Sequence, residues 1–314
     1  MKAIVLASAG GTDQLSIKDI PIPAVKEGEV LVKVRSFAIN PVDIKTRNGK
    51  AQYNLLKENP PVILGWDIAG EVTEVGKGST KFKVGDEVFG MVNFPGLGHA
   101  YAEFVTAPET HLCLKPAILP FEDAAAASLA ALTAWQVIAY QLKISKGEKI
   151  LVHSAAGGVG HFVVQFAKYF GAYVIGTASP ENHSYLKSIG ADETLDYKQP
   201  DFLKSIQLMD AVFDPLGGEI TKQSYAVLKD GGKIVSIVGG VKEEDAALYK
   251  PKNVIAANYL VHSSGEDLEK IKDIIVKGKL KVHVSHVFPF AKISEAHQQS
   301  ETGKTKGKIV VNIR

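Results

Sequence analysis

The chain has 314 residues, of which 46% are hydrophobic, and its formal net charge at pH 7 is +2. This length predicts two domains, and the composition can bury a sizeable core without disulfide bonds. The small net charge and the lack of a long Lys/Arg run argue against nucleic acid or a membrane surface as the main partner.

Cysteine content and apolar runs limit the protein further. Cys113 is the only cysteine, so neither a disulfide within the chain nor a cysteine-based zinc site is expected. The segment after Met1, KAIVLASAG, is too short and polar for a secretory signal. No apolar run reaches the ~18 residues of a membrane span. These features predict a cytoplasmic protein.

Residues 1 to about 118 predict a β-rich region. Short alternating or apolar runs recur there between Gly, Pro and Asp residues, as antiparallel strands require. These runs are KAIVLA, EVLVKVRSF, AGEVTEV, DEVFGMV and AEFVTA. From Pro120 the composition changes, and the alanine-rich stretch PFEDAAAASLAALTAWQVIAYQL predicts a helix with acidic residues near its start.

From Lys149 onward, predicted strands and helices alternate. The strands are KILVHS, AYVIGTA, ETLDY, DAVFDP and KIVSIVG, and the helices are GHFVVQFAKYF, HSYLKSI, DFLKSI and ITKQSYAVLKD. Alternation at this length predicts right-handed βαβ units, and hence a mostly parallel, doubly wound α/β sheet.

The C-terminal region returns to a different pattern. The stretch GEDLEKIKDIIVKGKL predicts an amphipathic helix, followed by a strand in KVHVSHVFPF, a short helix near KISEAHQQS and a closing strand in GKIVVNI. We therefore expect an α/β domain of residues 119–259, inserted into a β-rich domain of residues 1–118 plus 260–314.

A glycine-rich turn follows the first strand of the α/β region. Residues Ala155 to Gly160 read AAGGVG and match the dinucleotide fingerprint G-x-G-x-x-G, with alanine at its first place. Such a turn presents backbone N–H groups and a helix N-terminus to a pyrophosphate. The residues expected to contact the dinucleotide here are Ala156, Gly157, Gly158, Val159 and Gly160.

The end of the second strand distinguishes between the two nicotinamide dinucleotides. NAD-binding versions usually carry Asp or Glu about 20 residues after the turn, which binds the ribose hydroxyls. Here the strand AYVIGTAS ends in Thr177, Ala178 and Ser179, without an acid. Because a carboxylate would repel a 2′-phosphate, we predict NADPH, with Thr177 and Ser179 near that phosphate. Glu181, two residues later, leaves a ribose contact and NADH open as an alternative.

The chain resembles the medium-chain dehydrogenase/reductase superfamily over nearly its whole length, and within it the zinc-independent quinone oxidoreductase branch, close to the enone (2-alkenal) reductases. The resemblance implies a Rossmann domain inserted into a GroES-like domain, and NADPH-dependent hydride transfer to quinones or to the C=C bond of α,β-unsaturated carbonyls. The matching stretches are GEVLVKV, AINPVDIKTRNG, LGWDIAGEVTEVG, KVGDEVFG, ASLAALTAWQVI, HSAAGGVG, GADETLDY, VFDPLGG and GKIVV.

The metal ligands of the zinc alcohol dehydrogenases are replaced. Those enzymes carry Cys at the position of Asn40, and Gly-His-Glu where this chain has Gly65-Trp66-Asp67. Catalytic zinc needs about three protein ligands, so no metal is predicted. His283 and His286 also have metal-like spacing, but on a strand they point to opposite faces. Without zinc, hydride transfer to an electron-poor carbon is the easier reaction.

The resemblance implies further site residues. Thr133 matches a position at the nicotinamide end of the cofactor, and Tyr197 one beside the adenosine phosphate. Asn40 and Asp43 match residues that line the active cleft, as a catalytic and a substrate-binding residue, although both also suit a turn beside Pro41.

Other candidates come from the residues themselves. The phenol of Tyr53 could donate to the acceptor oxygen, or Tyr53 is an ordinary surface-loop residue. Trp66 either forms a wall of the substrate pocket or is a packed aromatic. Gly217 and Gly239 follow later parallel strands, at the carboxyl edge of the sheet where ligands bind.

Two other functions stay open. One is a zinc-free dehydrogenase of another carbonyl/alcohol pair. The other is an NADPH-binding protein without turnover, used as a crystallin or an RNA-binding protein. The resemblance also implies a homodimer formed through edge strands, for which KIVSIVGG and the segment after it are the candidate edge.

Overall fold

A computed structural model of the protein describes residues 1–206 and 208–313. Its strands, in chain order, are β1 (Lys2–Leu6), β2 (Leu15–Asp19), β3 (Glu29–Ile39), β4 (Asp67–Val75), β5 (Glu87–Met91), β6 (Phe104–Pro108), β7 (Leu112–Leu114), β8 (Lys149–Val152), β9 (Tyr173–Ala178), β10 (Glu193–Asp196), β11 (Met209–Asp214), β12 (Leu228–Ser236), β13 (Ile255–Asn258), β14 (Val284–Pro289) and β15 (Lys308–Asn312).

The α-helices of the same residues lie between these strands along the chain. They are α1 (Pro41–Arg47), α2 (Tyr53–Lys57), α3 (Phe121–Ala126), α4 (Leu129–Gln136), α5 (Gly160–Tyr169), α6 (His183–Ser188), α7 (Glu219–Ser224), α8 (Glu243–Leu248), α9 (Gly265–Val276) and α10 (Ile293–Glu301). No helix in the described residues is long and apolar enough to cross a membrane.

The chain forms two compact units. The β-rich unit contains residues 1–132, 261–277 and the chain from Val282 onward, and the inserted unit contains residues 133–260 and 278–281. The first boundary therefore lies after Leu132 rather than at residue 118, because α3 packs against β3, β4 and β15 of the β-rich unit. The α3 residues Ala124, Ala125 and Ala126 are fully buried, and their small side chains allow this close approach.

A seven-stranded sheet organises the β-rich unit. Its strand order is β14-β15-β3-β4-β5-β7, with β6 also paired to β3. The β14–β15 pair is parallel and the other pairs are antiparallel. A separate antiparallel pair joins β1 and β2.

The inserted unit is a parallel α/β sheet. Its six strands have the order β10-β9-β8-β11-β12-β13, and every pair is parallel. The apolar residues of β8 and β11 are buried, as expected for strands covered on both faces. Chain order reverses between β8 and β11, so the carboxyl ends of these strands form the crevice at which such sheets bind dinucleotides.

Three details differ from the sequence predictions. The helix predicted from Pro120 is interrupted: α3 and α4 are separate, and a π-helical segment from Val137 to Leu142 ends at Lys143 with φ +52°. The helix predicted in ITKQSYAVLKD ends early, because Leu228 already pairs with β11. The strand of KIVSIVGG is β12, which lies inside the sheet; the edge strand is β13, in the segment after it.

Candidate functional site

The turn between β8 and α5 has the geometry of a phosphate-binding loop. The Gly157 amide donates to the Ser154 carbonyl at 2.9 Å, and Ser154 has the left-handed φ of +48°. A Cβ atom on Gly160 would lie 2.2 Å from the Ser154 oxygen, so only glycine fits at the start of α5. Gly157, Gly158 and Val159 are partly exposed, next to the helix N-terminus that favours an anion.

A buried hydrogen-bond chain supports this turn. Thr177, only 1% exposed, accepts the Ser154 amide at 3.2 Å and lies 3.4 Å from His153 Nδ1. His153 Nε2 lies 2.9 Å from Ser224 Oγ, which donates to the Ile220 carbonyl at 2.6 Å. Because Ser224 donates onward, His153 Nε2 carries the proton and Nδ1 accepts from Thr177. Burial lowers the pKa of His153 to about 4, so the ring is neutral at pH 7.

The carboxyl ends of β9 and β10 lie side by side because these strands pair in parallel. Ser179 follows β9, is 7% exposed and accepts from Asn182 Nδ2 at 3.1 Å, whereas Tyr197, after β10, is 50% exposed. A hydrogen bond with Ser179 lowers the pKa of Glu181. Of the two hydroxyls predicted near a 2′-phosphate, Ser179 lies at the strand end and Thr177 lies beneath the turn.

Two polar residues that the sequence analysis did not single out shape the remaining loops of this edge. Asp214, the last residue of β11, accepts the amide of Gly217 at 3.1 Å. Ser236, the last residue of β12, accepts the amide of Gly240 at 3.0 Å. Gly217 and Gly239 both have φ near +77°, a conformation that favours glycine. Asp214 and Ser236 could have been found in the sequence as polar residues that end a strand just before a glycine-containing turn.

In the β-rich unit, Asn40 belongs to a buried polar cluster with Asp43, Asp67 and Lys308. None of these four residues is more than 3% exposed. Asn40 Nδ2 donates to Asp67 Oδ2 at 2.8 Å, and the Asn40 amide donates to Asp43 Oδ2 at 2.6 Å. Asn40 Oδ1 accepts a short hydrogen bond from the Lys308 ammonium, which lies 3.7 Å from Asp67 Oδ2.

Burial determines the protonation of this cluster. Burial raises the pKa of Asp43 to about 7 and that of Asp67 to about 6. It also lowers the pKa of Lys308, an effect that the two carboxylates oppose. With two acids and one base, the cluster carries one excess negative charge when all three ionise. A proton is therefore held here near neutral pH, mainly at Asp43.

A second buried network lies beside Asp43. The Tyr101 hydroxyl is 3.1 Å from His297 Nε2, and the Arg47 guanidinium is 3.3 Å from His297 Nδ1. Arg47 also pairs with Glu301 at 2.5 Å. Burial, with the Arg47 charge, lowers the pKa of His297 to about 3. Since Arg47 only donates, His297 Nδ1 accepts and Nε2–H points to the Tyr101 oxygen.

The structure shows the surroundings of three further predicted residues, Tyr53, Trp66 and Thr133. The Tyr53 hydroxyl accepts the Ala9 amide at 3.2 Å, a bond that leaves its own hydrogen unused. Trp66 is fully buried; its Nε1 donates to the Gly96 carbonyl at 2.9 Å and its ring meets Phe94 edge-on at 5.3 Å. Thr133 lies in α4 and is 3% exposed.

Comparison with known proteins identifies the family. A family model described as an alcohol dehydrogenase GroES-like domain matches residues 26–117, and one described as a zinc-binding dehydrogenase matches residues 189–311. The chain is 35% identical to the NADPH-dependent alkenal/one oxidoreductase, chloroplastic, of Arabidopsis thaliana, over 99% of this chain and 79% of that protein.

Solved structures agree. The structure of the quinone oxidoreductase from Coxiella burnetii is 37% identical with a TM-score of 0.94, over 100% of this chain and 99% of that one. The Escherichia coli quinone oxidoreductase complexed with NADPH is 26% identical with a TM-score of 0.89, over 100% of both chains. The chain belongs to the medium-chain dehydrogenase/reductase superfamily, which confirms the predicted family and fold class.

The residues present do not fit the zinc ion that one family description implies. At the two positions where the zinc enzymes carry ligands, Asn40 is bonded to Asp67 and Lys308, and Trp66 offers only a donor that is already used. In residues 1–206 and 208–313, no group of three or more His, Cys, Asp or Glu side chains is arranged to hold a metal ion.

The pH dependence of stability tests the proton held by Asp43. Its pKa is about 7 when folded, against 3.8 for an unperturbed carboxyl, so the folded protein binds more protons between these values. The stability that the protonated Asp43 carboxyl contributes is fully present below about pH 4 and is lost as the pH rises through 7. We expect the free energy of unfolding to fall from pH 5 to pH 8, with a slope from this group of at most ~1.4 kcal/mol per pH unit.

Asp43→Asn should flatten this slope, since the neutral amide cannot titrate. Urea unfolding at several pH values measures the effect. The exposed Asp230→Asn is the matched control and should keep the slope of the unaltered protein. Equal slopes for Asp43→Asn and the unaltered protein would contradict the assignment.

Proposed function

We propose that the protein is an NADPH-dependent oxidoreductase that reduces quinones or the C=C bond of α,β-unsaturated carbonyls without zinc. The observation that carries the proposal is the turn from Ala155 to Gly160 at the crevice of a parallel sheet, followed by a strand that ends without an acid at Ser179. A strand end without an acid lacks the usual ribose ligand of NAD enzymes and leaves room for a 2′-phosphate.

The inserted unit supplies the residues for binding NADPH. The N–H groups of Gly157, Gly158 and Val159, with the N-terminus of α5, would bind the pyrophosphate. Ser179 and Tyr197 would bind near the 2′-phosphate, and the loops of Gly217 and Gly239 would complete the edge. Thr133 would contact the nicotinamide end. When bound, NADPH supplies a hydride to the acceptor.

The choice of acceptor follows from the residues at positions 40 and 66, which do not fit a metal ion. A zinc ion makes a localised alkoxide accessible. The cluster at Asn40 offers no such Lewis acid, so an electron-poor carbon is the reasonable target. In a quinone or enone the developing negative charge spreads onto a conjugated oxygen, which hydrogen bonds can stabilise. Tyr53 is our candidate donor, because its hydroxyl hydrogen is not used in the bond with Ala9.

The relatives support the same reaction class. The Arabidopsis relative is named for alkenals and enones and for NADPH, and the Coxiella and Escherichia coli structures are named quinone oxidoreductases. We therefore expect quinones or α,β-unsaturated carbonyls as the acceptors.

The reaction is tested with NADPH deuterated at C4, one enone and one saturated ketone. The deuterium should appear on the β-carbon of the enone with the carbonyl kept, and the saturated ketone should react far more slowly because nothing strong stabilises its alkoxide. Mass spectrometry of the products measures both. A chelator should leave the rate unchanged, and Tyr53→Phe should lower it by about 10²-fold if Tyr53 is the donor.

Other outcomes identify other functions. If quinones are reduced and enone turnover is negligible, quinones are the substrates. Comparable rates on the enone and the saturated ketone, or an allylic alcohol as the main product, would establish a zinc-free carbonyl dehydrogenase. If the protein binds NADPH tightly but reduces no acceptor, it is a non-catalytic NADPH-binding protein.

Cofactor preference is tested by titration. The affinity for NADPH should exceed that for NADH by at least about tenfold, roughly 1.4 kcal/mol, because β9 ends without an acid. Glu181, which is exposed and bonded to Ser179, is the residue to vary. Glu181→Gln should tighten NADPH binding by removing a like charge, with Glu219→Gln as an exposed control. Equal affinities for both dinucleotides, or weaker NADH binding by Glu181→Gln, would make Glu181 a ribose ligand.

We also propose a cytoplasmic homodimer joined through β13. This edge strand carries Ile255, 58% exposed, and is followed by Leu260, 57% exposed. Edge strands of this kind otherwise promote aggregation. Light scattering should show a dimer at micromolar concentration, and the pair Ile255→Lys and Leu260→Lys should give a monomer. A monomeric unaltered protein would contradict the proposal.

A further inference from the structure

Sheet topology brings Asn40, Asp67 and Lys308 together. The strands β15, β3 and β4 are neighbours, and both pairs are antiparallel. The end of β3 therefore lies beside the starts of β4 and β15. Asn40 follows β3, Asp67 begins β4 and Lys308 begins β15. Three polar residues far apart in sequence thus meet at one end of a sheet, and all are buried.

Within this cluster the Asn40 side chain is held in one orientation. Its Oδ1 accepts from the Lys308 ammonium, and its Nδ2 donates to Asp67 Oδ2 at 2.8 Å. The Lys308 ammonium also donates to the Ile39 carbonyl at 3.1 Å. Reversing the amide would place its NH2 group against an ammonium and its oxygen against a carboxylate. Asp67 and Lys308 together therefore fix the orientation.

The second oxygen of Asp67 reaches a different element. Asp67 Oδ1 accepts the backbone amide of Leu129 at 2.7 Å. Leu129 is the first residue of α4, and a carboxylate is favoured at a helix N-terminus. Thr133 lies one turn further along the same helix. One carboxylate thus holds both Asn40 and the start of the helix that carries Thr133.

We propose that Asp67 and Lys308 are positioning residues for the reduction: the buried pair sets the Asn40 side chain and the first turn of α4. The Lys308 ammonium then contacts Asn40, whose position holds a zinc ligand in the zinc enzymes. The inference rests on the proposed function for its kinetic consequence, but its structural consequence at Leu129 is independent of any activity.

The kinetic test uses Lys308→Met, Asp67→Asn and the double variant. Lys308→Met leaves two buried acids without a cation, and Asp67→Asn takes from the ammonium the carboxylate that lies 3.7 Å away, so both single variants lose stability. The double variant leaves only Asp43, which can stay protonated, and regains much of the stability. We expect kcat to fall by about tenfold or more in all three, because small displacements of positioned groups slow reactions strongly. The dissociation constant of NADPH should stay within about twofold, since the phosphate-binding turn is untouched. The exposed Lys304→Met is the control and should keep the full kcat.

The structural test needs no turnover. A neutral amide is a weaker acceptor than a carboxylate, so Asp67→Asn should raise hydrogen–deuterium exchange in peptides covering residues 128–133 and leave those of the phosphate-binding turn unchanged.

The proposal is overturned if the double variant regains stability together with the full kcat, because the pair would then be purely structural. Unchanged exchange at residues 128–133 in Asp67→Asn also overturns it. If the unaltered protein reduces no quinone or enone, the proposed function fails by itself, and the exchange measurement still decides whether Asp67 holds α4.

Discussion

Desolvation of charge is the constraint on which the β-rich unit depends. Asp43, Asp67 and Lys308 are at most 3% exposed, and ions removed from water are tolerated only when charges and hydrogen bonds compensate them. The compensation here comes from three neighbouring strands and from the helix after β3. A change in the register of β15 against β3 would separate the ammonium from Asn40 Oδ1, and a change in the register of β4 against β3 would separate Asp67 from Asn40 Nδ2. The polar cluster therefore specifies the strand register at this end of the sheet more strictly than apolar packing alone would.

The inserted unit also contains buried polar side chains that need hydrogen-bond partners, but those beneath its glycine-rich turn are neutral. The phosphate-binding turn requires Ser154 at a left-handed φ and a glycine at position 160. The chain of Thr177, His153 and Ser224 holds that conformation from below, and each hydroxyl in it accepts one bond and donates one. Because the low pKa keeps His153 neutral, this support carries no charge.

Much of the fold could be predicted, because its signals are local. Strand and helix periodicity gave the parallel sheet, and the G-x-G-x-x-G spacing located the turn from Ala155 to Gly160. The missed features have weak local signals or depend on distant contacts. The strand β13 is short, and its exposure at Ile255 hides the apolar pattern of a buried strand. The break between α3 and α4 depends on where α3 packs against the sheet, which helix propensity does not encode.

The candidate site shows where sequence reasoning stops. Asn40 was predicted from its family position, and the structure places it in a cluster whose other members include the less conspicuous Lys308. A single lysine inside the apolar strand GKIVV is an anomaly that can be read from sequence, because a lysine is almost never buried unless paired. The partner of Lys308 cannot be identified from the sequence, because it depends on which strand ends lie side by side in the sheet. Once the order β15-β3-β4 is known, antiparallel geometry leaves Asn40 and Asp67 as the polar groups at that end. Topology, rather than proximity in sequence, is therefore what converts three isolated polar residues into one site.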